Sequence, residues 1–275
     1  MHTLEHLFYL NEILLQEMPN YQEEAAGFPK TEQGQRRLLR SLMNVRPPRP
    51  LTKDFLMEQD RLLQEENQAK GIVHLDELRK EAIISQHQLL VWQGDITRLA
   101  VDAIVNAANS ALLGCFVPCH GCIDNAIHSA AGLQLREACA KLMREQGHEE
   151  PTGQAKITPA YNLPSKYVLH TVGPIIHHRN SEGTYSPTAE DARLLASCYR
   201  SCLELAEKHN LQSIAFCCIS TGEFHYPNCA AAEIAINTVR DWLAENNSSM
   251  TVVFNVFKDV DAEIYNNLLK KNKKL

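Results

Sequence analysis

Three cysteines and a histidine fall within eight residues, Cys115, Cys119, His120 and Cys122, in the stretch GCFVPCHGCIDNAIHSAAG. Thiols and an imidazole this close together can hold a metal ion, supply a nucleophile or simply pack in the interior. Asp124 follows at once, in the first turn of a predicted helix, where its carboxylate interacts favourably with the helix dipole. Two further loops can bind ligands. ISTGEFHYP (219–227) follows a short apolar strand, and Ser220, Thr221 and Gly222 can turn backbone amides toward a phosphate or diphosphate, helped by the positive end of the next helix. QGDIT (93–97) puts Asp95 after a strand, where it can accept from an exocyclic amine or cap Thr97 or Arg98. Asn106 and Asn109, in VNAAN, offer donors and acceptors suited to sugar hydroxyls, or serve as turn formers.

These loops need elements to hold them. From residue 86 onward the chain alternates strand and helix. QLLVWQGDI, VDAIVNAAN, GQAKITPAY, KYVLHTVGPI, SIAFCCIS and TVVFNVF read as strands. Residues 122–146, 187–209 and 229–246 and the segment from Val260 read as helices. This alternation predicts an α/β layer fold with a mostly parallel sheet, and such sheets bind ligands beyond the carboxyl ends of their strands. The chemistry-bearing loops all fall at such ends. The first 85 residues differ, with apolar residues at helical spacing (Leu4, Leu7, Phe8, Leu14, Leu15, Met18) and no strand signal. A second helix is predicted from about Thr31 through Leu42, broken by RPPRP at 46–50. A third runs from a Thr52 cap to about Ala69, with Gly71 past its end, and a short fourth covers Leu75 to Ala82. The division is therefore a helical region over 1–85 and an α/β domain over 86–275.

Composition narrows the function. With 275 residues, 44% hydrophobic and 22% charged, the chain is an ordinary globular sequence. Its net charge of −6 argues against general nucleic-acid binding. No apolar run approaches the ~18 residues that would span a bilayer, and the N-terminus lacks the basic and small-residue features of a signal peptide, so a cytoplasmic location is expected. Nine cysteines, an odd number, do not suggest a disulfide framework in such a chain. Cys139, Cys198, Cys202, Cys217, Cys218 and Cys229 are expected to be buried, reduced thiols. His128 and His170 read as packing or hydrogen-bonding residues, and His177 and His178 as part of an exposed loop.

Taken in order, QGDIT, VDAIVNAANSALLG, IDNAIHSAAG, GQAKITPAYNLPSKYVLHTVGP and ISTGEFHYP resemble the macrodomain family, in its MacroD-type branch, over about residues 86–270. The resemblance implies a three-layer α/β/α fold with a central mixed sheet, a cleft for ADP-ribose, and hydrolysis of ADP-ribose from modified proteins. Where other members carry a glycine-rich loop after NAAN, this chain has the longer CFVPCHGC. That loop is similar to the zinc-containing subgroup found in bacteria and some fungi, whose members also carry an N-terminal helical extension.

The resemblance implies a zinc ion held in a Cys-x4-His-x-Cys pattern, here Cys115, His120 and Cys122. Four candidate ligands are present, but Cys119 and His120 are adjacent and neighbouring side chains point apart, so Cys119 is expected to stay out. By the same likeness Asp124 would position or activate the attacking water, and Asn109 would orient the distal ribose. Asp95, Ile96, Asn106, Asn109, Ser220, Thr221, Gly222, Glu223 and Phe224 would line the ADP-ribose site, with Phe224 packed on that ribose and Glu223 at the rim. The implied activity is zinc-dependent release of mono-ADP-ribose from protein side chains, with acidic linkages expected, and a lipoylated carrier protein is a candidate partner. A reader that holds ADP-ribose without cleaving it, an O-acetyl-ADP-ribose deacetylase, and an interaction protein stapled by zinc remain alternatives at this point.

Overall fold

Thr31 and Thr52 each start a helix because each hydroxyl accepts from a backbone N–H that the helix leaves without a partner, Gly34 N at 3.2 Å and Phe55 N at 3.2 Å. The computed structural model describes residues 3–86 and 88–271. Its N-terminal part contains α1 (Thr3–Glu17), α2 (Gln22–Ala26), α3 (Glu32–Val45) and α4 (Lys53–Lys70). Leu7, Leu10, Leu14, Leu38, Leu39, Leu42, Phe55, Leu62 and Leu63 close over a core of their own, which also takes in Leu133 from the rest of the molecule. Two short strands follow that the sequence pattern did not reveal, β1 (Val73–His74) and β2 (Ile84–Gln86), on either side of α5 (Leu75–Glu81). Val73 and Leu78 pack into the larger core, so the chain joins that core before residue 85.

The main sheet is built from β2, β3 (Leu89–Gln93), β5 (Ala103–Ala108), β6 (Ala155–Pro159), β7 (Tyr167–Val172), β8 (Ser213–Phe216) and β9 (Thr251–Val256) in the order β2-β3-β9-β8-β5-β7-β6. The five inner strands are parallel and the two edges antiparallel. A two-residue β4 (Leu99–Ala100) pairs with β1. Every residue of β8 and β9 is buried, as continuous apolar runs in a parallel sheet require. Flanking helices are α6 (Ile123–Ala131), α7 (Leu133–Gln146), α8 (Ala189–Lys208), α9 (Asn228–Glu245) and α10 (Asp259–Lys271). The predicted helix over 122–146 is thus two helices, separated at Gly132, whose φ of 96° suits glycine. Of the cysteines expected to be buried, Cys229 is exposed in the first turn of α9 and Cys218 is half-buried. Among the described residues no helix is long and apolar enough to cross a membrane.

Several side chains join the two parts, among them a buried arginine. Arg136 of α7 is buried and donates from Nη1 to the carbonyls of Met43 (3.0 Å), Asn44 (2.7 Å) and Arg46 (2.6 Å), where α3 ends. Its Nε reaches Leu113 O at 2.6 Å and Nη2 lies 3.5 Å from Cys115 O. The cation thus meets helix-end carbonyls that carry negative partial charge and have no partner in the helix. Burial pulls the guanidinium down to about 10, which still leaves it charged at neutral pH. Arg136→Met keeps much of the apolar stem and orphans these acceptors. Each buried acceptor left alone costs about 1–3 kcal/mol, so a loss of roughly 3–5 kcal/mol in urea unfolding is expected; a change below about 1 kcal/mol would show that water replaces the guanidinium without penalty.

Candidate active site

The carboxyl ends of β3, β5, β8 and β9 open onto one cleft of about 670 Å³, a size suited to a small-molecule ligand. Asp95, Ile96, Asn109, Cys115, His120, Cys122, Asp124, Ser220, Thr221, Gly222, Glu223 and Phe224 all line it. Of the residues expected to hold the metal or line the ADP-ribose site, Asn106 alone does not. It was expected to meet a sugar, but it is wholly buried and donates to Asp124 Oδ1 at 2.8 Å. The pleat explains the difference, because Asn106 lies within β5 and faces inward, whereas Asn109 lies past the strand end.

Asp124 is held at both oxygens. Asn106 Nδ2 reaches Oδ1, and Asn109 Nδ2 reaches Oδ2 at 3.3 Å. Asn109 also donates to Gly114 O and accepts from Ala111 N, which fixes the turn after β5. Burial pushes the Asp124 carboxyl up to about 6, against the opposing pull of the Asn106 hydrogen bond and the Arg136 charge. Behind it, His170 Nδ1 lies 3.2 Å from Asn106 Nδ2, so Nδ1 must accept and Nε2 carries the proton. Nε2–H then donates to Thr158 Oγ1 at 2.9 Å. His128, Cys139 and His170 form a second group at metal-like spacing, but this tautomer of His170 offers no lone pair there. His128 Nε2 lies 3.5 Å from Asp124 Oδ1 without a hydrogen bond. Burial, then His170 and Arg136, hold His128 neutral, so the pair is a contact and not an ion pair.

Cys115, His120 and Cys122 bring their donor atoms within 4.8 Å of one another. Cys119 does not join them. It has a φ of 52°, its Sγ lies 3.3 Å from Ser41 Oγ on α3, and its N–H donates to Asn44 Oδ1. The three residues suit a soft or borderline cation, since two thiols and an imidazole form the donor set that favours zinc. An unpaired atom supports this fit: His120 Nδ1 is buried with no hydrogen-bond partner. Burial, with Cys115 adding to it, pushes the Cys122 thiol up to about 12, although Asn125 N–H donates to its Sγ at the start of α6.

The loop after β8 is shaped for an anion. The amides of Gly222, Glu223 and Phe224 make no hydrogen bond among the described residues, and Ser220 Oγ is buried without a partner. Ser220 adopts a φ of 65° in contact with Gly173, where any side chain would collide with its hydroxyl. Asp95 caps the turn at 96–98, accepting Thr97 N and Oγ1 at Oδ1. Oδ2 makes neither bond, so the capping and ligand-binding readings are compatible. Glu223 is largely exposed at the rim, with Oε1 3.7 Å from His120 Nε2.

Sequence reasoning missed Phe257, which follows β9 and is 75% exposed on the cleft wall. The rule that ligands bind at strand ends would have found it. It also missed Arg136, whose place on an amphipathic helix gives no sign that it is buried.

The model of the Macro domain family matches residues 105–235. A protein of Treponema medium named protein-ADP-ribose hydrolase is 55% identical over 265 residues, spanning 96% of this chain and 98% of its own length. Among solved structures, the Oceanobacillus iheyensis macrodomain with ADP is 40% identical, covers 68% of this chain and 92% of its own, and superposes with a TM-score of 0.59. The Trypanosoma brucei macrodomain in complex with ADP-ribose is 29% identical, covers 84% of this chain and 94% of its own, and gives a TM-score of 0.63. With its mixed sheet, its strand-end cleft and a relative matched along nearly its whole length, this chain belongs to the Macro domain family.

Proposed function

We propose that the chain is a hydrolase that releases mono-ADP-ribose from modified protein side chains, with zinc held by Cys115, His120 and Cys122. The observation that carries this reading is that one cleft holds a buried carboxylate fixed by two asparagines, a thiol–imidazole triad and a loop of unpaired amides. The names of the relatives support the substrate class. On this reading Asp95 Oδ2 accepts from the adenine amine, Ile96 borders the base, and the exposed ring of Phe257 provides apolar surface for it. The amides of 222–224 and Ser220 Oγ receive the diphosphate, and Asn109 and Phe224 border the distal ribose.

Water attacks C1″ of that ribose. The bond between C1″ and the oxygen of the modified side chain breaks, and the water's proton passes to the Asp124 carboxylate. A side-chain carboxylate leaves without needing a proton, so we assign the linkage to aspartate or glutamate esters. Cys115, His120 and Cys122 would hold the zinc ion, which when bound would supply Lewis acidity to this chemistry. Asn106 and Asn109 keep both Asp124 oxygens in place as the proton arrives. As the modified partner we extend the proposal to a lipoylated carrier protein, to be compared with other ADP-ribosylated proteins in the same assay.

The test measures zinc content, free ADP-ribose binding and ADP-ribose release on wild type, Asp124→Ala and Cys122→Ala, with folding followed by circular dichroism. Asp124→Ala is expected to keep zinc and binding and to lose about 10²–10⁴-fold in turnover. Cys122→Ala is expected to lose zinc and turnover while remaining folded. Wild type that binds ADP-ribose and releases none from any modified protein would make this chain a reader. Separately, Phe257→Ala is expected to weaken ADP-ribose binding by about tenfold or more, since stacking a base on an aromatic ring contributes about 1–3 kcal/mol. Its melting temperature should not move, because the ring is largely exposed; unchanged affinity would remove Phe257 from the base site.

A further inference from the structure

The loop between β5 and α6 is irregular, so its backbone groups need partners other than a regular ladder. Several of those partners come from α3. Arg40 Nη2 donates to the carbonyl of His120 at 3.3 Å. The same guanidinium grips Asn125 Oδ1 from Nε (3.1 Å) and Nη2 (2.7 Å). Asn125 is fully buried and passes the contact on, its Nδ2 donating to Val117 O at 3.0 Å. Asn44 accepts from Cys119 N at 2.9 Å and donates to Ser129 Oγ on α6 at 3.0 Å. The Cys119 thiol donates to the Arg37 carbonyl at 3.6 Å and lies 3.3 Å from Ser41 Oγ. The 117–120 turn, with Cys119 at positive φ, is therefore tied to α3 on the side away from the cleft.

We propose that α3 is the template for the metal-binding loop, with Arg40 and Asn44 as positioning residues that bring His120 to Cys115 and Cys122. The proposal rests on the metal reading above. His120 sits between two cysteines in a turn whose own bond runs from His120 N–H to Val117 O at 3.2 Å, with its other hydrogen-bond partners supplied by α3 and Asn125. A chain without these contacts would have to order the loop when the cation binds, and that ordering lowers affinity. Partners behind metal ligands typically change metal affinity by about 10–100-fold when removed. On this account Cys119 serves the site from outside it, as the anchor that turns His120 inward.

The experiment uses the full chain as wild type, Arg40→Ala, Asn44→Ala and Arg37→Ala. Arg37→Ala is the control, removing the same charge from an exposed position on the same helix. Zinc dissociation constants come from competition with a chromophoric chelator, and the visible spectrum of the cobalt-loaded protein reports the coordination. Circular dichroism and free ADP-ribose binding check the fold and the rest of the cleft. Arg40→Ala and Asn44→Ala are expected to bind zinc about 10–100-fold more weakly, with altered cobalt bands, an unchanged fold and unchanged ADP-ribose binding. Arg37→Ala should match wild type. If Arg40→Ala does not fold, Arg40→Lys keeps the charge, loses the fork and should show a smaller loss of the same kind. Zinc affinity within twofold of wild type in both variants overturns the template role and leaves the metal site standing. Wild type that binds no zinc overturns the metal reading as well.

Discussion

The arrangement depends on a buried cation whose hydrogen bonds all go to backbone carbonyls. Arg136 sits where the end of α3, the turn after β5 and α7 meet, and its donors bind carbonyls of both the first and the second. No carboxylate forms a salt bridge with it among the described residues. Its hydrogen bonds all go to carbonyl dipoles, which works because a helix end supplies several aligned carbonyls at once. Phe116 covers the guanidinium, its ring centroid 4.1 Å from the group. The N-terminal helices are thereby part of the frame that carries the cleft.

The carboxylate at the cleft floor shows the opposite strategy. Asp124 is almost buried, and its position is set by amide donors that remain neutral at every pH. Behind Asn106, the chain through His170 to Thr158 fixes which way the amide points. A neutral histidine can do this where a charged one would pull Asp124 into an ion pair. Burial keeps both His128 and His170 uncharged. The cleft therefore holds a carboxylate whose geometry is rigid and which has no counter-ion in contact, the arrangement the proposed role of Asp124 as base requires.

Much of this was legible in the sequence. Apolar runs gave the strands, hydroxyl caps gave the starts of α3 and α4, and the adjacency of Cys119 and His120 indicated that their side chains point apart. Three things were not. Strands β1 and β2 have two and three residues, too few for a period to register, and they exist because a neighbouring strand pairs with them. Asn106 and Asn109 look alike on paper, and only the point where β5 ends decides which one faces the cleft. The contacts of Arg40 and Arg136 to the loop are largely to carbonyl oxygens, which every residue carries. An arginine that binds backbone has no partner residue type to betray it.

That last point bears on how such a site can vary. A loop gripped through its carbonyls can change many side chains without losing its shape, because the gripped atoms do not depend on residue type. Phe116, Val117 and Gly121 lie exposed on the 113–122 loop, while the carbonyls of Leu113, Gly114, Val117 and His120 are each engaged by a side chain from elsewhere. Gly114 is the exception on the loop itself. Its φ of 78° and its contact with the His128 ring leave no room for a Cβ. The constraint therefore falls on Gly114, on Cys115, His120 and Cys122 as the proposed ligands, on Cys119, on Phe116 over Arg136 and on the residues that grip the loop, and the exposed Val117 and Gly121 are left open to set what approaches the cleft.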